Sequence, residues 1–162
     1  MNLSPTFNTP KSQLIIGLGI LAIYLALTIG TAVTEIPGTD EGFFANPAFN
    51  LLTKGSLSTT VLETFATPFK GMDRHTYWIM PLQPLALSIW YRVFGFGVFS
   101  TRSLSIVWGL VALASWFLIV RSLFKRTSLA LVVIALLSCD YIFIVCASSG
   151  RMDGELVAVE LR

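Results

Sequence analysis

Charged residues are scarce in this chain of 162 residues. Lys, Arg, Asp and Glu together make up 12% of it, and 54% is hydrophobic, whereas a typical soluble domain is about 25% charged. A soluble fold needs more polar residues to cover its surface, and disordered chains contain fewer apolar ones. The net charge of only +2 also argues against a nucleic-acid-binding protein. The composition therefore predicts an all-α protein that crosses a membrane several times.

Cysteine and histidine are equally sparse. The chain has two cysteines and one histidine. Cys139 and Cys146 would lie about 10 Å apart along a helix, which is too far for a disulfide. The sequence has no cysteine and histidine cluster with the spacing of a zinc site. It also lacks a phosphate-binding glycine loop, a nucleophile elbow and an internal repeat, so no common soluble enzyme class is indicated.

Three apolar segments are long enough to cross a membrane. Residues 14–33 and 103–120 contain no charge, and residues 127–149 contain only Asp140. About 20 apolar residues cross a hydrocarbon core of ~30 Å, so each segment is predicted to be a transmembrane helix. A cleaved signal peptide is the alternative for the first segment, but its apolar stretch is longer than the usual core of about 7–15 residues. Residues 1–13 are then a cytoplasmic amino terminus.

The basic turn at residues 121–126 sets the predicted orientation. It contains three basic residues and no acid, which is typical of a cytoplasmic loop. Residues 76–101 could form a further span, but the basic turn would then lie on the outer side of the membrane, contrary to the preference of basic loops for the cytoplasm. We therefore expect three spans, with residues 34–102 as a large outer loop and residues 150–162 as a second outer loop and the start of another helix.

The large outer loop is predicted to contain helices on the membrane surface. Residues 39–40 can cap one short helix, and Asn46 with Pro47 can start a second one that stops at Gly55. Residues 76–101 contain two prolines, which would break a straight span. They also contain two pairs of adjacent aromatic residues, whose rings favour the headgroup level.

Acidic residues follow the spans on the predicted outer side. Asp40 and Glu41 come after the first span, and Asp153 comes after the third, near Arg151. Three spans place both acidic sites on one side of the membrane, whereas four would separate them. Carboxylates near a basic residue can support acid–base chemistry on a charged substrate. The alternative is that these charges only anchor the ends of the helices.

The order of these features resembles the amino-terminal part of C-type membrane glycosyltransferases, the group of protein O-mannosyltransferases and lipid A aminoarabinose transferases. The first apolar helix is followed by Asp-Glu-Gly-Phe-Phe at residues 40–44, a short helical stretch and Lys-Gly at residues 54–55. Residues 84–95 are similar to the family's interfacial helix, and residues 99–104 to the entry of its second span. Residues 149–153 are similar to an Arg-x-Asp element of its second outer loop.

The resemblance implies a sugar transferase at the outer face of the cell membrane. A sugar would pass from a polyprenyl-phosphate carrier to a hydroxyl of a lipid, glycan or protein acceptor, with inversion at the anomeric carbon. Asp40 would be the base that takes the hydroxyl proton, Glu41 would shape that site, and Asp153 would orient the acceptor, the base or a cation. A divalent cation is the only cofactor that the resemblance leaves open.

Cations on the outer face are candidates for binding the donor, because its leaving group is a lipid phosphate. Arg102 and Arg151 keep family positions and rank first. Each candidate could instead be an interfacial anchor that reaches the lipid headgroups. The aminoarabinose branch carries Lys-Pro-Pro where residues 80–82 here read Met-Pro-Leu, so that specificity is not implied. The candidates are Arg74, His75, Arg92, Arg102 and Arg151.

The length of the chain is short for this family, whose members have many more spans. A helix that begins near Asp153 reaches Arg162 before it is long enough to cross a membrane. The sequence therefore predicts an amino-terminal fragment of the C-type fold that is inactive alone. The alternative class is a small non-enzymatic membrane protein, either an assembly subunit or a component of a transporter, in which Asp40 is dispensable.

Overall fold

The described part of the chain is helical. The computed structural model describes residues 9–61, 71–76 and 80–150, and no strand occurs among them. The helices are α1 (Pro10–Thr34), α2 (Thr39–Lys54), α3 (Leu82–Phe94), α4 (Val98–Phe124), α5 (Thr127–Ser138) and α6 (Tyr141–Ser148). Helices α1 and α4 are long and apolar enough to cross a membrane, and α5 with α6 is a third candidate if this bent pair is one span. The structure thus agrees with an all-α membrane protein.

Helix α1 contains the whole of the first predicted span, residues 14–33. It begins after Thr9, whose side chain accepts a hydrogen bond from a backbone N–H of the first turn. Pro10 occupies the first helical position, where a proline loses no helical hydrogen bond. Every fourth residue from Ile20 to Ala32 is buried, so one narrow stripe of this helix contacts the protein. Much of the remaining surface is apolar and exposed, as in a helix that faces lipid.

Helix α4 is longer than the second predicted span, residues 103–120. It starts at Val98 and continues through most of the turn expected at residues 121–126, because no glycine or proline in that segment stops it. It ends where Lys125 adopts the left-handed conformation, with φ of 53°. Arg121 consequently lies on the last turn of α4, and only two residues connect this helix to α5.

The third predicted span, residues 127–149, is divided into two helices. Helices α5 and α6 are bent by 68° at the break that contains Cys139 and Asp140. A carboxylate oxygen of Asp140 accepts a hydrogen bond from the backbone N–H of Phe143 at 2.8 Å, so Asp140 caps the start of α6. The acid within this apolar segment therefore satisfies a backbone group at the amino end of α6.

The apolar helices come into close contact where α1, α4 and α6 meet. The hydroxyl of Tyr24 on α1 donates to the carbonyl of Ile106 on α4 at 3.0 Å. A Cβ at Gly109 would overlap this hydroxyl and would lie 2.9 Å from the Cβ of Ala147 on α6. Only glycine permits this approach, because a side chain at position 109 would push the helices apart.

Helices α2 and α3 form a pair at one end of the apolar helices. Their interface includes Ala48 of α2 and Leu87 and Tyr91 of α3. The sequence predicts two short helices here, with Pro47 at the start of the second, but α2 is continuous through Pro47. This proline is fully buried, so packing stabilises the uninterrupted helix although the proline removes one hydrogen bond. Gly55 ends α2 in the left-handed conformation, with φ of 70°, as predicted.

Helix α3 exposes an apolar stripe on one side. Four large apolar residues, spaced three or four positions apart, are 46% to 71% exposed, whereas Leu87 and Tyr91 are buried on the opposite side. Its 13 residues extend about 20 Å, which is too short to cross a core of ~30 Å. This geometry fits a helix that lies along the membrane surface, although one predicted aromatic pair, residues 77–78, lies outside the described residues. The stripe consists of Leu82, Leu85, Ile89 and Val93.

Candidate functional site

A buried ion pair joins the first turn of α2 to the second turn of α4. The Nε of Arg102 donates to Oε1 of Glu41 at 2.9 Å, and its Nη2 donates to Oε2 of the same carboxylate at 3.1 Å. Such paired bonds are the strongest geometry between arginine and a carboxylate. The side chain of Arg102 is 2% exposed and that of Glu41 is 11% exposed, so water has little access to either charge.

Arg102 also bonds to the carboxyl end of α1. Its Nη1 donates to the carbonyl of Ala32 at 2.7 Å and to that of Glu35 at 2.9 Å. The last carbonyls of a helix have no partner within it, and Arg102 supplies one. Four of the five N–H groups of this guanidinium are therefore engaged. We call Arg102, Glu41 and these two carbonyls the arginine clasp, which holds α1, α2 and α4 together.

The clasp bears on two roles predicted from the sequence. Arg102 is a predicted ligand of the donor phosphate, and Glu41 is predicted to shape the site of the base. A buried guanidinium with one remaining N–H group has little capacity to bind a phosphate. This geometry favours a positioning role for Arg102, with Glu41 as the group that it holds, while phosphate binding by Arg102 stays a prediction.

Two side-chain hydrogen bonds attach α3 to the same end of α4. The hydroxyls of Tyr91 and Thr101 are 2.5 Å apart, and the indole N–H of Trp90 donates to the hydroxyl of Ser103 at 2.9 Å. The pKa of Tyr91 is raised to about 12, chiefly by burial. The hydrogen bond with Thr101 acts to lower this pKa, and the negative charge of Glu41 acts to raise it. Tyr91 is therefore a neutral phenol at physiological pH, and it lies within the electrostatic range of the clasp.

Gly150, two residues after the end of α6, lies against the clasp. A Cβ at Gly150 would lie 3.0 Å from Cγ2 of Thr101 and 3.7 Å from Cγ of both Arg102 and Glu41. Gly150 has a φ of 62°, which favours glycine. Residues 151–153 follow at once, so the second predicted outer loop starts beside the first.

Asp153 and Arg151 lie outside the described residues. Their predicted roles, orientation of the reactants for Asp153 and phosphate binding for Arg151, stay predictions. The same holds for the helix predicted to begin near Asp153. What the structure adds is the position of Gly150, from which this segment continues.

Asp40 lies next to the clasp, on the first turn of α2, and is exposed. The residue before this helix, Gly38, provides no side-chain cap, and acids near the amino end of a helix are stabilised by its dipole. Because Arg102 holds the neighbouring Glu41, the backbone that carries Asp40 is fixed against α1 and α4. The site therefore presents one buried, paired carboxylate and one exposed carboxylate in adjacent positions.

The remaining predicted cations belong to other elements. Arg74 and His75 lie in the turn of residues 71–76, where both backbone N–H groups donate to the carbonyl of Gly71. Arg92 lies on the last turn of α3. All three side chains are exposed, so each is accessible to a lipid headgroup or to a substrate phosphate.

A metal site is not evident in the described ranges 9–61, 71–76 and 80–150. No group of three or more His, Cys, Asp or Glu side chains there could hold a metal ion. Asp153 falls outside these ranges, and the divalent cation that the sequence leaves open stays a prediction.

Two polar residues near this end were not predicted as part of a site. Tyr91 was interpreted as an interfacial aromatic, but its hydroxyl contacts Thr101 inside the protein. Gln83 is 1% exposed, and in the described structure neither of its amide atoms has a hydrogen-bond partner, which is unusual for a buried amide. The sequence feature that could have indicated a buried polar group here is the position of Gln83 as a lone amide in an otherwise mostly apolar helix.

Comparison with known proteins yields no match. The chain matches no family model, no curated protein and no solved structure.

Proposed function

We propose that this chain carries the acceptor-activating site of a membrane glycosyltransferase. A sugar would be transferred from a polyprenyl-phosphate donor to a hydroxyl of a lipid, glycan or protein acceptor, at the extracytoplasmic face of the cell membrane. The arginine clasp is the observation that carries this proposal. It fixes the acid-bearing start of α2 against α1 and α4, at the point where Gly150 leads into residues 151–153.

Asp40 is the general base of the proposed reaction. Its carboxylate takes the proton of the acceptor hydroxyl as that oxygen attacks the anomeric carbon of the sugar. The new carbon–oxygen bond forms opposite the bond to the phosphate, which breaks with its electrons on the phosphate oxygen. The configuration inverts, and polyprenyl phosphate leaves.

Glu41 and Arg102 act in this mechanism as positioning residues. A base must be held in place to be effective, since a displacement of about 1 Å can lower a rate about 100-fold. The paired bonds between these two side chains fix the first turn of α2. Arg102 also neutralises the charge of Glu41, so that Asp40 is the carboxylate presented to the acceptor.

The donor phosphate requires cations other than Arg102 in this arrangement. Arg151 is the first of these, because it follows directly from Gly150 beside the clasp. Arg74, His75 and Arg92 are the exposed candidates among the described residues. Each would stabilise the negative charge that develops on the leaving phosphate.

The apolar stripe of α3 fits a lipid-linked donor. The stripe is exposed on the helix that Tyr91 and Trp90 attach to α4 beside the clasp. A helix of this kind lies at the boundary between headgroups and hydrocarbon. A polyprenyl chain could remain in the bilayer there while its phosphate sugar reaches the level of Asp40.

The proposal is tested by replacing Asp40 in the full reading frame that encodes this chain. Membranes that contain the protein are supplied with radioactive polyprenyl-phosphate sugars, and label is counted in lipid, glycan and protein fractions. Asp40→Asn should lower transfer by about 100-fold or more, as expected for loss of a general base. Glu35→Gln is the matched control, because it removes an exposed carboxylate and keeps the carbonyl that Arg102 binds.

The two variants must first be shown to reach the membrane in equal amounts. If Asp40→Asn then transfers sugar at the rate of the control, Asp40 is not the base. If the unaltered protein transfers none of the sugars, the proposal fails. The alternative, a non-enzymatic membrane subunit or transporter component, then becomes the better explanation.

A further inference from the structure

A groove lies between α1, α4 and α5, at the end of these helices opposite the clasp. Its volume is about 680 Å³, within the range of about 300–1,000 Å³ typical of ligand sites. It extends along α1 from Gln13 to Leu21 and along α5 from Thr127 to Ile134. These stretches are about 10–12 Å long at the helical rise, and half of a bilayer core is about 15 Å. The groove therefore fits within one leaflet.

The lining of the groove is almost entirely apolar. Among the described residues that line it, only Gln13 and Thr127, near the ends of their helices, have polar side chains. Gly17 and Ala114 contribute to its width, because neither has a side chain beyond Cβ. The apolar side chains that line such a groove gain dispersion contacts only when other atoms fill it. A hydrocarbon chain is therefore favoured inside it. Other lining residues are Leu14, Leu18, Leu113, Phe117 and Leu131.

A second, polar cavity adjoins the groove. It has a volume of about 470 Å³, is lined by Arg121, Ser122 and Lys125, and shares Leu118 and Thr127 with the groove. Both basic side chains are exposed, and none of the described residues that line this cavity is acidic. Basic pockets between helices at the membrane surface favour anionic lipid headgroups.

We propose that the groove and the basic cavity together bind one anionic phospholipid. An acyl chain lies in the groove, and the phosphate lies between Arg121 and Lys125, where the hydroxyls of Ser122 and Thr127 can donate hydrogen bonds. Charge selects this occupant, because an apolar helix or a second copy of this surface would leave both cations without an anion. The site lies at the end opposite Asp40 and does not depend on the proposed transferase activity.

The proposal is tested by native mass spectrometry of the purified full chain in a neutral detergent. Phosphatidylglycerol and phosphatidylcholine with the same acyl chains are titrated separately, and soluble glycerol phosphate provides the headgroup without the chains. We expect one phosphatidylglycerol to bind roughly tenfold or more tightly than phosphatidylcholine, because its net negative charge faces two cations, whereas the choline cation of phosphatidylcholine offsets the charge of its phosphate. Glycerol phosphate should bind more weakly than the lipid, since it leaves the groove empty.

Matched substitutions separate the two parts of the site. Arg121→Gln combined with Lys125→Asn should remove the preference for phosphatidylglycerol, and asparagine tolerates the left-handed conformation of position 125. Arg126→Gln, which removes a cation of the same turn that does not line the cavity, should retain the preference. Ala114→Phe should fill the groove and weaken binding of both lipids. Ala22→Phe places the same ring on an exposed part of α1 and should not.

Three results would overturn the proposal. One is equal affinity for the two lipids. Another is an equal effect of the variants and their matched controls. The third is a dimer that Ala114→Phe abolishes and that excludes lipid, which would show that a second copy occupies the groove.

Discussion

Replacing Arg102 with methionine should strongly destabilise the protein, because the clasp joins three helices. The substitution leaves the carboxylate of Glu41, which is 11% exposed, without its partner, and breaking a buried ion pair in this way costs about 3–5 kcal/mol. The carbonyls of Ala32 and Glu35 also lose their donor, at about 1–3 kcal/mol for a buried group. The free energy of unfolding should therefore fall by at least about 3 kcal/mol.

A double-mutant cycle separates the ion pair from the carbonyl bonds. Adding Glu41→Leu to Arg102→Met removes the unpaired charge, and apolar replacements of buried ion pairs are often neutral or stabilising. The double variant should therefore regain much of the lost stability and remain about 1–3 kcal/mol below the unaltered protein, because the two carbonyls still lack donors. Because either single substitution breaks the buried pair at a cost of about 3 kcal/mol or more, the coupling energy of the cycle should be at least about 3 kcal/mol.

The assay is equilibrium unfolding of the purified protein in mixed micelles with increasing denaturing detergent. Tryptophan fluorescence provides the signal, since Trp90 lies beside the clasp. A loss below about 1 kcal/mol for Arg102→Met would match an exposed ion pair and would contradict the clasp. Additive effects of the two substitutions would contradict it as well.

Two further predictions use the same unfolding assay. Gly109→Ala should lower the free energy of unfolding by about 1–3 kcal/mol, because its Cβ would overlap the hydroxyl of Tyr24. The control is Gly19→Ala, whose Cβ would meet no atom within 4 Å, so its stability should change little. Equal losses of stability in the two variants would exclude this close approach. Stability should also fall between about pH 10 and pH 12, because the pKa of Tyr91 rises from 10.0 to about 12 on folding and the unfolded chain therefore ionises first. The contribution of Tyr91 is complete below pH 10 and declines by about 1.4 kcal/mol per pH unit between pH 10 and pH 12. Tyr91→Phe should therefore make the fall in stability shallower, whereas Tyr141→Phe, at an exposed position, should leave it unchanged.

The long apolar helices were predictable from composition, because the length of an apolar segment reflects the thickness of the bilayer. Their ends were less predictable. Helix α4 continues through residues 121–124 because nothing in that stretch stops a helix, and it ends only at Lys125. The break between α5 and α6 had a signal in Asp140, the lone acid of its segment, but the sequence could not show that this side chain caps a helix.

The clasp could be predicted only in part. Sequence reasoning placed Glu41 and Arg102 on the same side of the membrane and gave them separate roles, one beside the base and one at the donor phosphate. Their pairing joins residues that are 61 positions apart and depends on how α1, α2 and α4 pack. No local pattern encodes such a contact. Tyr91 shows the same limit. As one of two adjacent aromatic residues it was predicted to lie at the membrane interface, but its hydroxyl contacts Thr101 inside the protein.

The clasp also has a consequence for the order in which the chain assembles. The carbonyl of Ala32 is bonded by a residue 70 positions further along the chain. Because synthesis proceeds from the amino end, α1 exists before the arginine that completes its carboxyl end. Until α4 arrives, that end and the side chain of Glu41 must be satisfied by water. Formation of the clasp is therefore a late step, and it secures α1 and α2 only after α4 has joined them.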